Sequence, residues 1–289
     1  MARYQVILAY DGTDFQGFQR QSKARTVQGE VEAALARFNW QGKTILQAGR
    51  TDTGTHGAGQ VIAFDLDWAH TPEELGRALN AELPLDVAVK SVRLAAPDFH
   101  PRFDAKGRSY RYKIYCQPER DPLRDRFAWR VWPEPNLTLL QQAARLLPGS
   151  HDFAAFGNPP RPGGQTVRVV YSAGWEPQAG GLLFEVAANA FLYHMVRRMV
   201  YLQVQVGQNR LELKQLAQAV NAAQPQPPGL APAHGLVLQE VWFEENRGES
   251  QSGTSVRELT GIDQSPGFPG NENRETGERN SGQDVRPKG

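Results

Sequence analysis

One cysteine, Cys116, stands in a chain of 289 residues, so no internal disulfide can form and an apolar core must hold the fold. The thiol falls in an alternating strand pattern and reads as a packing residue. The length leaves room for one large or two ordinary domains. No apolar run approaches the roughly 20 residues that a bilayer-spanning helix needs. Excess charge is missing too: 32 Lys and Arg face 31 Asp and Glu, a formal net of +1. Overall charge therefore attracts no polyanion, and any basic surface has to be local. The six histidines (56, 70, 100, 151, 194 and 234) recur at no metal-ligand spacing, and no cysteine cluster accompanies them. No metal and no cofactor are expected. The start, Met1-Ala2-Arg3-Tyr4, passes straight into a strand pattern without a signal-like apolar region. These absences imply a soluble, cytoplasmic protein with no membrane partner.

What is present centres on Ala48-Gly49-Arg50-Thr51-Asp52-Thr53-Gly54-Thr55-His56-Gly57-Ala58-Gly59-Gln60. One carboxylate, Asp52, sits among glycines and threonines, between β-prone segments at Thr44–Leu46 and Val61–Phe64. The run reads as a tight loop between two strands, the kind of place where function sits on a rigid scaffold. Asp also serves widely as a plain turn residue, so the loop gains meaning only from its surroundings.

Tyr4, Val6, Leu8 and Tyr10 predict a first strand ended by Asp11-Gly12-Thr13. Thr26 caps a helix with apolar positions Val27, Val31, Ala34, Leu35 and Phe38. A strand to Arg50, the central loop, and a strand from Gln60 to Asp67 follow. Thr71-Pro72-Glu73-Glu74 is a capping box that starts a second helix, and Asp86 to Leu94 alternates as a strand. Strand, helix, strand, strand, helix, strand is the split βαβ order of ferredoxin-like domains. A similar order recurs beyond it: strands at Ser109–Tyr115, Val167–Trp175, Leu182–Ala188 and Leu236–Phe243, with helices at Asn136–Leu147, Phe191–Val206 and Leu211–Ala222. The fold class expected is α+β: two ferredoxin-like halves, 1–104 and 105–245, whose antiparallel sheets form a central cleft. Gln224 to Pro232 is a Pro/Gln-rich loop within the second half. Residues 246–289, rich in Gly, Ser, Asn, Glu and Arg, cannot offset their ordering entropy and are expected to be a disordered tail.

Two familiar readings of the loop fail. Asp-Thr-Gly marks aspartic proteases, but these need a second carboxylate sharing a proton, and Arg50 beside Asp52 favours a lone ionised acid. A phosphate cradle would need Lys-Ser/Thr where Thr55-His56 stands. The helix from Phe191 says more. Leu192, Met195, Val196, Met199 and Val200 make it apolar around most of its girth, yet it carries Arg197 and Arg198. Such an arginine either snorkels or meets a carboxylate, and pairing with Asp52 would keep that acid charged and fixed in orientation. That suits a nucleophile better than a general acid. Phe99-His100-Pro101-Arg102-Phe103 and Arg108-Ser109-Tyr110-Arg111-Tyr112-Lys113 interleave cations with rings. Such strands can be half-solvated sheet edges, or can offer stacking and phosphate contacts to unpaired nucleotides.

Together these segments resemble the tRNA pseudouridine synthase A family. The match is carried by Tyr10-Asp11-Gly12-Thr13 with Gly17, Thr26-Val27-Gln28, Gly49-Arg50-Thr51-Asp52-Thr53-Gly54-Thr55-His56, Phe99-His100 with Arg102-Phe103, and Arg108 with Tyr110-Arg111-Tyr112. It continues through His151-Asp152-Phe153, Thr166 with Arg168, Asn189-Ala190-Phe191-Leu192, His194-Met195-Val196-Arg197, and Ala231-Pro232 with Gly235-Leu236. The resemblance implies the pseudouridine synthase fold and isomerisation of uridine to pseudouridine at positions 38, 39 and 40 in the tRNA anticodon stem-loop. It implies Asp52 as nucleophile, Arg197 as its partner, Tyr110 against the uracil, and Arg50 helping to extrude the base. RNA contacts are expected from Phe99, His100, Pro101, Arg102, Phe103, Arg108, Arg111 and Arg161 (in the loop 157–164), with His70 a further candidate for extrusion. It also implies a homodimer with tRNA lying across both subunits. The residues alone leave open whether Asp52 attacks the sugar or the ring, or steadies a cationic sugar. An RNA-binding module without activity is the alternative that the strands alone would allow.

Overall fold

The computed structural model describes residues 1–244; the polar tail expected over 246–289 lies outside them. In the first half, strand β1 (Ala2–Tyr10) leads to helix α1 (Val27–Ala36), the two-residue strand β2 (Leu46–Gln47), strand β3 (His56–Leu66), helix α2 (Pro72–Glu82) and strand β4 (Val87–Leu94). The Thr26 hydroxyl accepts from Gly29 N–H at 3.2 Å, and Thr71 and Glu74 close the capping box at the start of α2. Both helix starts fall where the sequence puts them.

The second half runs β5 (Ala105–Tyr115), β6 (Trp129–Arg130), α3 (Leu137–Ala144), β7 (Gly149–Asp152), β8 (Val167–Gln178), β9 (Gly181–Ala188), α4 (Met195–Gly207), α5 (Leu213–Ala222) and β10 (Leu236–Phe243). The strands of both halves join in one ten-stranded mixed sheet, ordered β4-β1-β3-β10-β5-β9-β8-β7, with β2 on β3 and β6 on β5. The seam is a short parallel pairing of β3 with β10, Val237 opposite His56 and Leu238 opposite Gly57. β2 takes the same edge of β3 further along, at Ala63 and Ile62. The loop carrying Asp52 thus leaves the sheet beside the line where the halves meet.

Two apolar clusters flank the sheet, one within residues 1–104 and one drawn mainly from 105–244 that also takes Ala48 and Val61. Tyr4, Val6 and Leu8 of β1 pack with Val31, Leu35, Leu75 and Leu79 of the two helices. Tyr112, Phe184, Met199, Val200 and Leu216 centre the other. Fully burying side chains of this kind contributes about 1.5–3 kcal/mol each. α4 is buried nearly all round, as its composition predicts, and its one uncharged polar core residue, Gln203, is satisfied by Trp175 Nε1 at 2.9 Å and Met199 O at 3.0 Å.

Several boundaries differ from the sequence reading, each for a local reason. The helix expected from Phe191 starts at Met195, because His194 adopts φ 67° and the preceding residues bridge to Asn158. The strand expected to reach Arg50 stops at Gln47, where the chain turns into the loop. β3 begins at His56 instead of Gln60, its added residues making the seam with β10. The short strands β6 and β7 have too few residues to show a period. Cys116 lies one residue past β5, half-buried, and burial pushes its thiol up to about 11.

Candidate active site

The loop 48–55 is held at many points. Ala48 N–H donates to Val61 O at 2.8 Å, Gln60 Nε2 donates to Gly49 O at 2.8 Å, and Arg108 Nη2 donates to Ala48 O at 3.0 Å. Thr51 is clasped from the first half: its carbonyl accepts from Phe18 N–H at 3.1 Å, and its hydroxyl bonds Tyr10 Oη at 2.9 Å. The segment 12–18 lies so close that side chains cannot be fitted at two of its positions. A Cβ on Gly12 would stand 2.0 Å from Thr55 O, and one on Gly17, at φ +83°, 2.9 Å from Thr51 O. The glycines of the Tyr10-to-Gly17 motif are there to back the loop.

His56 closes the bracket. Its Nδ1 lies 3.0 Å from Gly12 N and 3.1 Å from Asp11 Oδ1, and its Nε2 lies 3.1 Å from His234 O. Burial lowers its pKa, with Asp11 at 3.1 Å opposing, and the ring stays neutral. It ties the loop's end to the turn before β10.

Asp52 points toward the second half. Its Oδ2 accepts from Arg197 Nη1 at 2.8 Å and lies 3.4 Å from His194 Nε2. Arg197 is fixed in turn by Nε donating to Ala231 O at 2.7 Å. Both side chains are largely enclosed, at 18% and 14% exposure, where a charge-assisted bond is less screened than at the surface. Among the described residues Oδ1 has no hydrogen-bond partner.

Asp52 is the one carboxylate among the residues lining a cavity of about 830 Å³, a size within the usual ligand range of roughly 300–1,000 Å³. Tyr110 lines it too, buried, with its ring edge-on to Phe191 at 5.0 Å between centroids. Burial pushes the Tyr110 phenol up to about 12; Arg108 opposes this and Asp52 adds to it, so the phenol is un-ionised at neutral pH. A second hollow of about 580 Å³ adjoins, lined by Arg50, Arg102, Arg161 and Arg168 and sharing three of those arginines with the first. Among the described residues none of the four is paired with a carboxylate. Arg168 is half-enclosed, with Nη1 on the Gln165 and Val167 carbonyls and a buried Nε that has no partner.

The residues singled out in the sequence divide into three groups. Asp52, Tyr110, Arg50, His100, Arg102, Phe103 and Arg108 line the main cavity, and Arg161 the adjoining hollow. Arg197 stands behind Asp52. Arg108 is enclosed, its guanidinium donating to Ala48, Arg102 and Asn189 carbonyls, so it ties the wall together. Burial lowers its pKa. Phe99 packs on Phe243 and Pro101 is buried, both behind the wall. Two residues stand apart: Arg111 is exposed, alternates away from Tyr110 along β5 and pairs with Glu185; His70 lies against Trp68 at the head of α2. Arg198 packs on the 226–229 loop carbonyls instead of reaching Asp52. His194 and Arg168 were not singled out by the sequence reading, although each falls inside a matched segment.

The profile of the family described as tRNA pseudouridine synthase matches residues 6–104 and 143–244. A protein named tRNA pseudouridine synthase A from Geobacillus kaustophilus (strain HTA426) is 39% identical over 246 residues, covering 84% of this chain and 95% of its own. One of the same name from Streptococcus equi subsp. equi (strain 4047) is 38% identical over 250 residues, covering 85% and 100%. A chain of the crystal structure of a Cbf5-Nop10-Gar1 complex aligns with TM-score 0.32 at 12% identity, over 81% of this chain and 47% of that one. Among the described residues no helix is long and apolar enough to cross a membrane.

Proposed function

This chain belongs to the tRNA pseudouridine synthase family, and from that premise we propose that it converts uridine to pseudouridine at positions 38, 39 and 40 of the anticodon stem-loop, with Asp52 as nucleophile and the target base flipped from its stem. The enzyme is an isomerase that acts on tRNA. The observation that carries the finer reading is the Arg197-bound carboxylate of Asp52 in a cavity walled by Tyr110 and adjoined by arginines that have no carboxylate partner among the described residues.

The reaction breaks the N1–C1′ bond and forms C5–C1′; the C5 proton is lost and N1 gains one, so atoms balance without a cofactor. Asp52 supplies negative charge where the sugar carbon becomes electron-poor, and Arg197 holds that carboxylate aimed. Tyr110 packs on the freed uracil, which must turn within a closed space before it rejoins. Extruding a paired base costs on the order of a few kcal/mol, recovered by stacking and hydrogen bonding inside the pocket. Arg50 fills the gap the base leaves. Arg102 and Arg161, with His100 and Phe103 beside them, grip the backbone and position the stem. Phe99, Pro101 and Arg108 shape the wall behind them. Arg111 and His70, away from the cavity, are left to RNA beyond it. The enzyme works in the cytoplasm as a homodimer built from halves 1–104 and 105–245 in each subunit.

The test is to incubate tRNA transcript with wild type and Asp52→Ala and map pseudouridine at single-nucleotide resolution. Product confined to positions 38 to 40, and absent with Asp52→Ala, is expected. Product elsewhere in the tRNA would overturn the site assignment.

A further inference from the structure

His194 occupies a position whose backbone asks for a different residue. It takes φ 67°, ψ 0° at the N-cap of α4, a left-handed conformation that glycine adopts freely and a side chain adopts under strain. N-caps favour Ser, Thr, Asp or Asn, and the His194 side chain makes no capping bond. The conformation is enforced from both sides. Tyr193 N–H donates to Asn158 O at 2.9 Å, Met195 N–H to Leu192 O at 3.2 Å, and Arg198 N–H to His194 O at 3.0 Å. Strain held in this way motivates a search for a role in the side chain. Its one polar contact among the described residues is Nε2 to Asp52 Oδ2, at 3.4 Å, while its ring stacks on Tyr193 at 3.6 Å.

We propose that His194 is a positioning residue for Asp52: with Arg197 it holds Oδ2 from a second direction, so that the carboxylate cannot pivot and Oδ1 is the oxygen presented to the uridine. The proposal rests on Asp52 being the nucleophile. A single contact on Oδ2 leaves the carboxylate free to swing about that bond, whereas two fix its plane. The stacked Tyr193 ring, which lines the cavity, keeps the imidazole from turning away. Asp52 and Arg197 are the charged groups acting on His194, and the facing Asn158 segment offers only an amide. Burial holds the imidazole below the ordinary histidine range; Asp52 pulls the other way and Arg197 adds to the lowering. In the neutral ring Nε2 faces Asp52 Oδ2 at 3.4 Å, a polar contact longer than a full hydrogen bond. Once protonated it sets a second positive charge beside Asp52 and draws down its nucleophilicity.

The experiment measures single-turnover pseudouridine formation on tRNA transcript across about pH 5 to 8. Wild type, His194→Gly, His194→Gln and Asp52→Ala are compared, with tRNA Kd and melting temperature recorded for each. Glycine suits the backbone, so His194→Gly is expected to melt no lower than wild type and to bind tRNA equally. Its rate should fall about 10- to 100-fold, with loss of the acid limb. His194→Gln, which restores an N–H donor that does not titrate, should recover part of the rate with the acid limb still flat. A His194→Gly enzyme with the wild-type rate and profile would overturn the proposal, and so would a rate loss that tracks a fall in melting temperature. Product from Asp52→Ala at the wild-type rate would instead remove the nucleophile assignment and take the positioning role down with it.

Discussion

The two ends of the cavity handle charge in opposite ways. At the closed end, Asp52, Arg197 and the Ala231 carbonyl form a paired chain with bonds of 2.8 and 2.7 Å. At the mouth, Arg50, Arg102, Arg161 and Arg168 have no carboxylate partner among the described residues. A paired, largely enclosed charge has fixed geometry, and removing one member leaves the other uncompensated. The exposed guanidiniums of Arg50, Arg102 and Arg161 keep their freedom and attract phosphate at long range, whereas Arg168 is half-enclosed on the Gln165 and Val167 carbonyls. On the proposed reading the difference separates two jobs in adjoining hollows: chemistry at the floor, grip at the entrance.

The sharpest way to break this comparison is Arg197→Met. It strands the Asp52 carboxylate and frees its orientation, so the single-turnover rate should fall by about 10²–10³. Stability should drop by about 2–4 kcal/mol, somewhat below the cost for a fully buried pair, read from urea unfolding. The tRNA Kd should stay near wild type. A variant that binds poorly but reacts normally once saturated would erase the distinction between the two ends.

A smaller effect, on the other parameter, is expected at the mouth. Arg102→Ala and Arg161→Ala should each weaken tRNA binding about 3- to 10-fold and reduce the slope of log K against log salt by roughly 0.7–0.9. The rate at saturating enzyme should not change. Filter binding at several salt concentrations, alongside single-turnover kinetics, checks both halves of the statement.

The smallest effect concerns pH and stability. His56, His194 and His234 all lie on the closed side, and burial lowers the pKa of each; charged neighbours oppose or add to that lowering. The unfolded chain therefore takes up protons near the ordinary histidine value before the folded chain does. Stability is full above that value and declines as pH falls through it. Melting temperature should fall by about 2–4 °C between pH 7.5 and 5.5. His56→Gln should shrink the drop, while neutralising mouth arginines should leave it unchanged.

Much of this contrast is legible in the residues themselves. A helix apolar around its girth that still carries Arg197 leaves that arginine to snorkel or to meet a carboxylate, and Asp52 in its glycine loop is the partner found. The capping signals at Thr26 and Thr71 mark both helix starts of the first half because they are local chemistry. His194 is hidden for the converse reason: its place depends on a left-handed turn enforced by Asn158, some 36 residues away in sequence. No periodicity carries that information. The β3–β10 seam is equally silent, since it pairs His56 with Val237 across the whole chain. That Arg111 lies away from the cavity follows from alternation along β5, which gives it the face opposite Tyr110, where it pairs with Glu185. Arg108 reads as a phosphate contact, yet three carbonyls hold its guanidinium.

Asp52→Asn is the most direct test of the central claim, because the amide keeps the side chain's size and removes only its charge. Pseudouridine in the anticodon stem-loop would be mapped over a time course, with tRNA binding measured on the same preparation. The account expects tRNA bound with the wild-type Kd and uridine left unchanged at positions 38 to 40. Pseudouridine accumulating there at the wild-type rate would show that the ionised carboxylate at the floor is not what drives the reaction.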